Sequence, residues 1–401
     1  MKGKPAVTAD QVRWYRLAVH HLDRRYPVTQ LLAAAGVCGL QNSPPGAWET
    51  ALFARLQGVT LPLLQSALEQ EKTLLQAWSY RGVPVVFPTE ESAVFLQALA
   101  AHPGEEPWIY TRGVGLALDF LGIRWKDAFP LVQQATEYLD THTVQSKEEL
   151  DRVLAAQAAA LLPPALQERW NAPSMYGRPD RQSVGGAVVS FALRPCAFLG
   201  QVVFGARQGI HPTFTSYTRW LGHPLAADPQ AEARLVRKFL HAYGPATQAD
   251  LAAWLGSSPQ QTRRLWQTVQ KELVAVDKDG KTACLLAADL PALTGARPPE
   301  EPLVLVGAHD PYLDARDRGL LLADMTLQRQ VWRTVANPNV ILWNGQVAGI
   351  WKTRMAHNRL TVTMIPFVPL PDGAKQKLLC HAQAYAEFRN LPLEHCVVEE
   401  Q

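Results

Sequence analysis

Residues 234 to 280 read RLVRKFLHAYGPATQADLAAWLGSSPQQTRRLWQTVQKELVAVDKDG, and their punctuation decides the fold. A helix carrying Leu235, Phe239 and Leu240 must stop at the Gly244-Pro245 break, because proline cannot continue it. Thr247 is placed to cap a second short helix running through Leu255, and Gly256 turns the chain before Ser257 or Ser258 opens a third. The third helix carries Arg263, Arg264 and Lys271. The apolar run Leu273 to Val276 is then followed by Asp279-Gly280, a pair suited to a tight hairpin turn. Three short helices and a two-stranded wing make a winged helix-turn-helix, an arrangement that presents a recognition helix to a duplex. The alternative reading of the same pattern is a module that packs only against protein.

Working outward, 401 residues are too many for one ordinary core and imply several compact units. An apolar fraction of 47% with 19% charged residues excludes a disordered chain. No stretch approaches the roughly 18 uninterrupted apolar residues of a membrane span, and the amino end lacks the apolar core of a signal peptide, so a cytoplasmic protein is expected. Cys38, Cys196, Cys284, Cys380 and Cys396 are scattered and never paired at metal-ligand spacing, which predicts reduced thiols and no metal site.

A net charge of +3 says little; its distribution says more. Between residues 164 and 222 every basic side chain except the histidines is an arginine (Arg169, Arg178, Arg181, Arg194, Arg207 and Arg219), opposed only by Glu168 and Asp180. The planar guanidinium fork matches phosphate oxygens. Arg178, Arg181, Arg207, Arg219, Arg263 and Arg264 are accordingly the candidate contacts to double-stranded DNA. Aromatic residues interleave them, from Trp170 to Trp220, some as core and some free to stack on bases.

At the amino end, Ala9 to Arg24 has the period of an amphipathic helix with Val12, Leu17 and Leu22 inward, Thr29 is placed to cap a helix over residues 30 to 35, and a loop spans Gly39 to Gly46. Helices are expected from Ala47 and from Leu61 to Glu69, then a strand from Val83 to Phe87, which repeats the winged-helix order. The middle repeats it more weakly, with helices at Pro130 to Leu139, Lys147 to Leu161 and Ser183 to Leu193. Wing strands are expected at Gln201 to Phe204 and Pro212 to Tyr217. Beyond the proline-rich residues 297 to 302 the pattern turns to strands: Leu303 to Val306, Val340 to Trp343, a turn at Asn344-Gly345, Val347 to Trp351 and Leu360 to Pro366, closed by a helix over residues 373 to 390. The expectation is a mainly α chain with small β wings (α+β). Winged-helix units at 1–105, 106–225 and 226–297 precede an antiparallel β unit at 302–401.

Five short segments in this order carry a family resemblance: Gly39-Leu40-Gln41-Asn42-Ser43-Pro44, residues 76 to 82 (QAWSYRG), residues 243 to 247 (YGPAT), His309-Asp310-Pro311-Tyr312-Leu313, and residues 345 to 351 (GQVAGIW). Together they resemble the AlkZ-type (YcaQ-like) DNA glycosylases, tandem winged helices closed by a carboxyl-terminal β unit. The resemblance implies hydrolysis of the bond between sugar and an alkylated or crosslinked base in damaged duplex DNA, by a monomer without metal or cofactor. It also implies that a Gln-x-Gln or Gln-x-Asp element orients the attacking water. Gln41 matches the first position, whereas Ser43 stands at the second. Serine is shorter than an amide and brings no negative charge to an oxocarbenium-like state. Val83-Pro84-Val85 likewise replaces a Thr-Leu-His of many relatives.

Asp310 is the candidate replacement base, with Asp317 nearby, and Glu49 is placed to favour the start of the helix at Trp48. The plainer roles are an aspartate capping the turn at Pro311 and a Gln41 amide tied to its own loop. Two functions stay open on these residues: a monofunctional glycosylase acting through Gln41, Ser43 and Asp310, or a noncatalytic DNA-binding protein serving as lesion sensor or regulator.

Overall fold

The computed structural model describes residues 4–105, 108–176, 180–208, 211–371 and 373–399. The chain forms two compact units, one built from residues 1–70, 236–251 and 269–401, the other from 71–235 and 252–268. The consecutive division proposed from sequence does not coincide with them, since 1–105 and 226–297 each contribute to both. The physical reason lies in the sheets: strand Ala6–Val7 pairs in parallel with Leu273–Lys278, joining the amino end to a wing some 270 residues later. No helix among the described residues is long and apolar enough to cross a membrane.

In the decisive stretch the helices are Ala231–Tyr243, Gln248–Leu255 and Pro259–Gln267. Thr247 Oγ1 accepts from the Asp250 amide and Ser258 Oγ from that of Gln261, so both expected caps form. Strands Leu273–Lys278 and Lys281–Leu286 make the wing around Asp279-Gly280, whose φ angles of +52° and +76° suit that pair.

The first unit opens with helix Ala9–Val19, shorter than its period suggested; Val12, Leu17 and Leu22 are buried as expected. Helix Leu31–Gly36 follows a 3₁₀ turn and has no side-chain cap, so Thr29 does not play that part. The carboxyl-terminal strands run in the order Leu303–Val306, Asn339–Trp343, Gln346–Ala356, Arg359–Pro366 and Leu393–Val398. The first four are antiparallel, and the fifth, not expected, lies parallel to its neighbour. Gln346–Ala356 outruns its inner partner: Asn339 pairs with Trp351, and beyond that point the strand pairs only with Arg359–Pro366. Helix Ala374–Phe388 closes this part, near its expected place.

In the second unit, helices Trp125–Thr136, Lys147–Ala159, Pro164–Asn171 and Val184–Phe198 surround a core containing Trp170, Leu150, Leu154, Val188 and Phe214. Trp170 is fully buried and donates its indole N–H to the Ala155 carbonyl at 2.9 Å. Its ring lies so close to Gly185 that a Cβ there would stand 2.0 Å from Nε1, so only glycine fits. The wing strands are Val203–Gln208 and His211–Thr215. Strand Leu74–Trp78, unforeseen, pairs antiparallel with Pro84–Pro88.

Candidate active site

The Gln41 loop is short and held from both sides. Leu40, Gln41 and Asn42 are buried while Ser43 is exposed. The Gln41 Nε2 donates to the Ser43 carbonyl at 3.1 Å, and Asn42 Oδ1 accepts from the Gly46 amide at 2.7 Å. The loop therefore does tie its own backbone. The tie uses the amide nitrogen of Gln41, and its side-chain oxygen carries no hydrogen bond to the described residues. Gly46, at φ +88°, turns the chain into helix Ala47–Arg55.

Both ends of that helix are anchored to the carboxyl-terminal part of the same unit. In its first turn Glu49 accepts from Arg389 at 2.7 Å, an interaction added to the favourable helix dipole expected for it. Thr50 and Tyr385 share a hydroxyl contact of 3.3 Å. At its last residue Arg55 forms a two-pronged pair with Asp310 at 2.7 and 2.8 Å and donates to the carbonyls of His20 and Ala51, each at 2.8 Å. Arg55 and Asp310 are both 1% exposed. Burial alone would lower the Arg55 guanidinium, but the Asp310 carboxylate overrides it and raises the pKa.

Asp310 also accepts from the Tyr312 amide at 3.0 Å, the capping role weighed against catalysis from sequence. With both oxygens engaged and no solvent access, its geometry is that of an anchor rather than a base facing water. Tyr312 continues the network to the Gly345 carbonyl at 2.8 Å, and Tyr243 donates to that of Pro311 at 3.0 Å. Beside them His20 contacts the Ala242 carbonyl through Nε2, and burial, reinforced by Arg55, holds its pKa well below the ordinary value. Burial pushes the Cys38 thiol up to about 12, so it is no nucleophile.

Asp317 is committed in the same way. Arg16 grips it at 2.8 and 3.0 Å and Lys278 also pairs with it. Burial would raise this carboxyl, yet the two cations hold it well below the usual carboxylate range. Gln41 and Ser43 thus share one loop, with Asp310 set behind it at the far end of the helix the loop leads into. Among the described residues no cluster of histidine, cysteine or acidic side chains fits a metal.

The candidate DNA contacts divide. Arg178 lies outside the described residues. Arg181, Arg219 and Arg263 are exposed, and Arg207 is half-buried. Arg264 spends its guanidinium on Glu105, at 2.8 and 3.0 Å, and on Glu232. Arg169 is exposed over the exposed Phe120, and the half-buried Arg194 lies over the buried Trp78. Of the interleaved aromatics, Trp170, Phe198, Phe214 and Tyr217 are core. Sequence reasoning missed the hairpin around His357-Asn358, where Lys352, Arg354 and Arg359 are exposed beside Met355, itself 68% exposed. Its signal was the basic run after Trp351, which offers no apolar alternation.

Comparison with known proteins is consistent with this arrangement. The family model for DNA glycosylase AlkZ-like proteins matches residues 34–388. The chain belongs to the AlkZ-like DNA glycosylase family. Its AlkZ-like relatives include an interstrand DNA cross-link repair glycosylase of Streptomyces sahachiroi, 24% identical over 406 residues, covering 95% of this chain and 98% of the relative. The solved structure of Streptomyces sahachiroi DNA glycosylase AlkZ superposes with a TM-score of 0.74 at 21% identity, covering 98% of this chain and 100% of the other. Tandem winged helices are thus the AlkZ-like architecture here as well.

Proposed function

We propose that this protein hydrolyses the N-glycosidic bond of alkylated or crosslinked bases in duplex DNA, with the attacking water oriented by the Gln41 side-chain oxygen. The observation that carries the reading is the Gln41 loop: its amide nitrogen is fixed by the Ser43 carbonyl while its oxygen is left to accept from water. The Ser43 hydroxyl, exposed beside it, supplies a second polar partner. Neither group is anionic, which restricts the substrate. A base made cationic by alkylation leaves as a neutral molecule, so the bond is already weakened and an oriented water suffices. Asp310 acts as a positioning residue through Arg55. Arg181, Arg207, Arg219, Arg263 and the basic hairpin supply phosphate contacts, and the name of the Streptomyces sahachiroi relative supports crosslinked DNA among the substrates.

The test is base release from a duplex holding one N7-methylguanine or one crosslink, counted as abasic sites. Gln41→Ala is expected to cut the rate by about a hundredfold, the usual loss for one aligned polar group. An unchanged rate removes Gln41 from the chemistry. A noncatalytic sensor is the second reading, favoured by Ser43 at the position of a Gln or Asp. It gains if the wild type releases no base while Ser43→Asp does.

A further inference from the structure

A cavity of about 460 Å³ lies behind the turn that follows Ser43, within the first unit, and its size is that of small-molecule sites, about 300–1,000 Å³. One wall is Pro44, Pro45 and Gly46. The opposite wall is one face of the long strand Gln346–Ala356, where Trp351, Thr353 and Met355 alternate onto the same side. The slot exists because the neighbouring strand stops at Asn339, opposite Trp351, and the longer strand runs on without it.

Its lining is chemically one-sided. Trp351 and Tyr385 meet edge to face at 5.0 Å, and the indole N–H is already given to the Val306 carbonyl at 3.0 Å, so this end is apolar and aromatic. No lining residue is acidic, whereas Lys352 and Arg389 both border the space. Arg389 is already paired with Glu49 at 2.7 Å, which leaves Lys352 as the cation bordering the space. A flat, uncharged ring finds aromatic and proline surfaces, with Lys352 and Asn337 to meet an acceptor substituent.

We infer that this cavity is a subsite for the aromatic appendage of a bulky base adduct, seated while the modified base itself lies at the Gln41 loop. This deepens the glycosylase reading and rests on it. Ser43, whose carbonyl holds the Gln41 amide, is bonded directly to Pro44 of the cavity wall. The subsite reading has a substituent that projects from the base cross the Ser43-Pro44 step to reach the cavity. Methylated bases gain nothing from the space.

The experiment measures binding rather than excision. Two duplexes each carry one 2′-fluoro nucleotide that resists hydrolysis, bearing N7-benzylguanine in one and N7-methylguanine in the other. The wild-type protein is expected to bind the benzyl duplex about tenfold more tightly, equivalent to about 1.4 kcal/mol. Leu391→Trp, at a lining residue outside the basic hairpin, is expected to fill the cavity, abolish that preference and leave methyl-duplex affinity unchanged. Asn337→Trp, at another lining residue outside the hairpin, reads the same outcome if melting shows Leu391→Trp to be misfolded. Absence of preference in the wild type, or an equal loss for both duplexes in the variants, overturns the subsite. Because hydrolysis is blocked, this result is independent of whether base release occurs on ordinary DNA.

Discussion

Two ion pairs, one in each unit, show how differently the same kind of contact serves a structure when its burial and partners differ. Arg55–Asp310 has side chains 1% and 0% exposed, and its groups are completed by the carbonyls of His20 and Ala51 and the amide of Tyr312. Lys147–Asp151 has side chains 30% and 11% exposed; the Ser190 hydroxyl accepts from Lys147 at 2.8 Å and Arg194 adds a nearby positive charge. Burial raises the Asp151 pKa and lowers that of Lys147 despite their contact, so desolvation wins. In the arginine pair the attraction wins, at least for Arg55, whose pKa is raised. A planar fork with several partners offsets its own desolvation; a compact ammonium with one carboxylate and one hydroxyl does not.

The strongest way to break this contrast is Asp310→Ala, which strands a buried guanidinium. It is expected to cost about 3–5 kcal/mol in urea unfolding, and a loss below about 1 kcal/mol contradicts the anchoring role. Next in size is acid sensitivity. The lowered pKa of His20, beside the arginine pair, gives stability that is present above about pH 6.5 and lost as pH falls towards the depressed value. One proton gives at most about 1.4 kcal/mol per pH unit, and His20→Gln should flatten that part of the stability profile. Asp151 acts with the opposite sign: its raised pKa gives stability present below about pH 4 and lost as pH rises through the folded value. The smallest effect is expected for Lys147→Met combined with Asp151→Leu, neutral or slightly stabilising by thermal melting, since an apolar pair removes the desolvation cost. A large destabilisation there erases the distinction between the two pairs.

What the sequence made legible follows the range of the forces involved. The helices and wing of residues 231–286 were readable because Thr247, Ser258 and Asp279-Gly280 act within a few residues of themselves. Leu74–Trp78 escaped because all five of its residues are buried and it shows no alternation. Leu393–Val398 escaped because its character comes from a partner strand rather than from its own pattern. At the site, Gln41 and Ser43 were found through a family motif, and Asp310 was found but with its plainer role dominant. No local rule marks Arg55 as its partner 255 positions away.

That separation has a consequence during synthesis. The helix behind the Gln41 loop receives Asp310 and Arg389 from chain made 255 and 340 residues after their partners. Early in synthesis the loop has its own internal ties and neither clamp. A nascent chain ending between Asp310 and Arg389 can hold one of these clamps, whereas one ending before Asp310 holds neither.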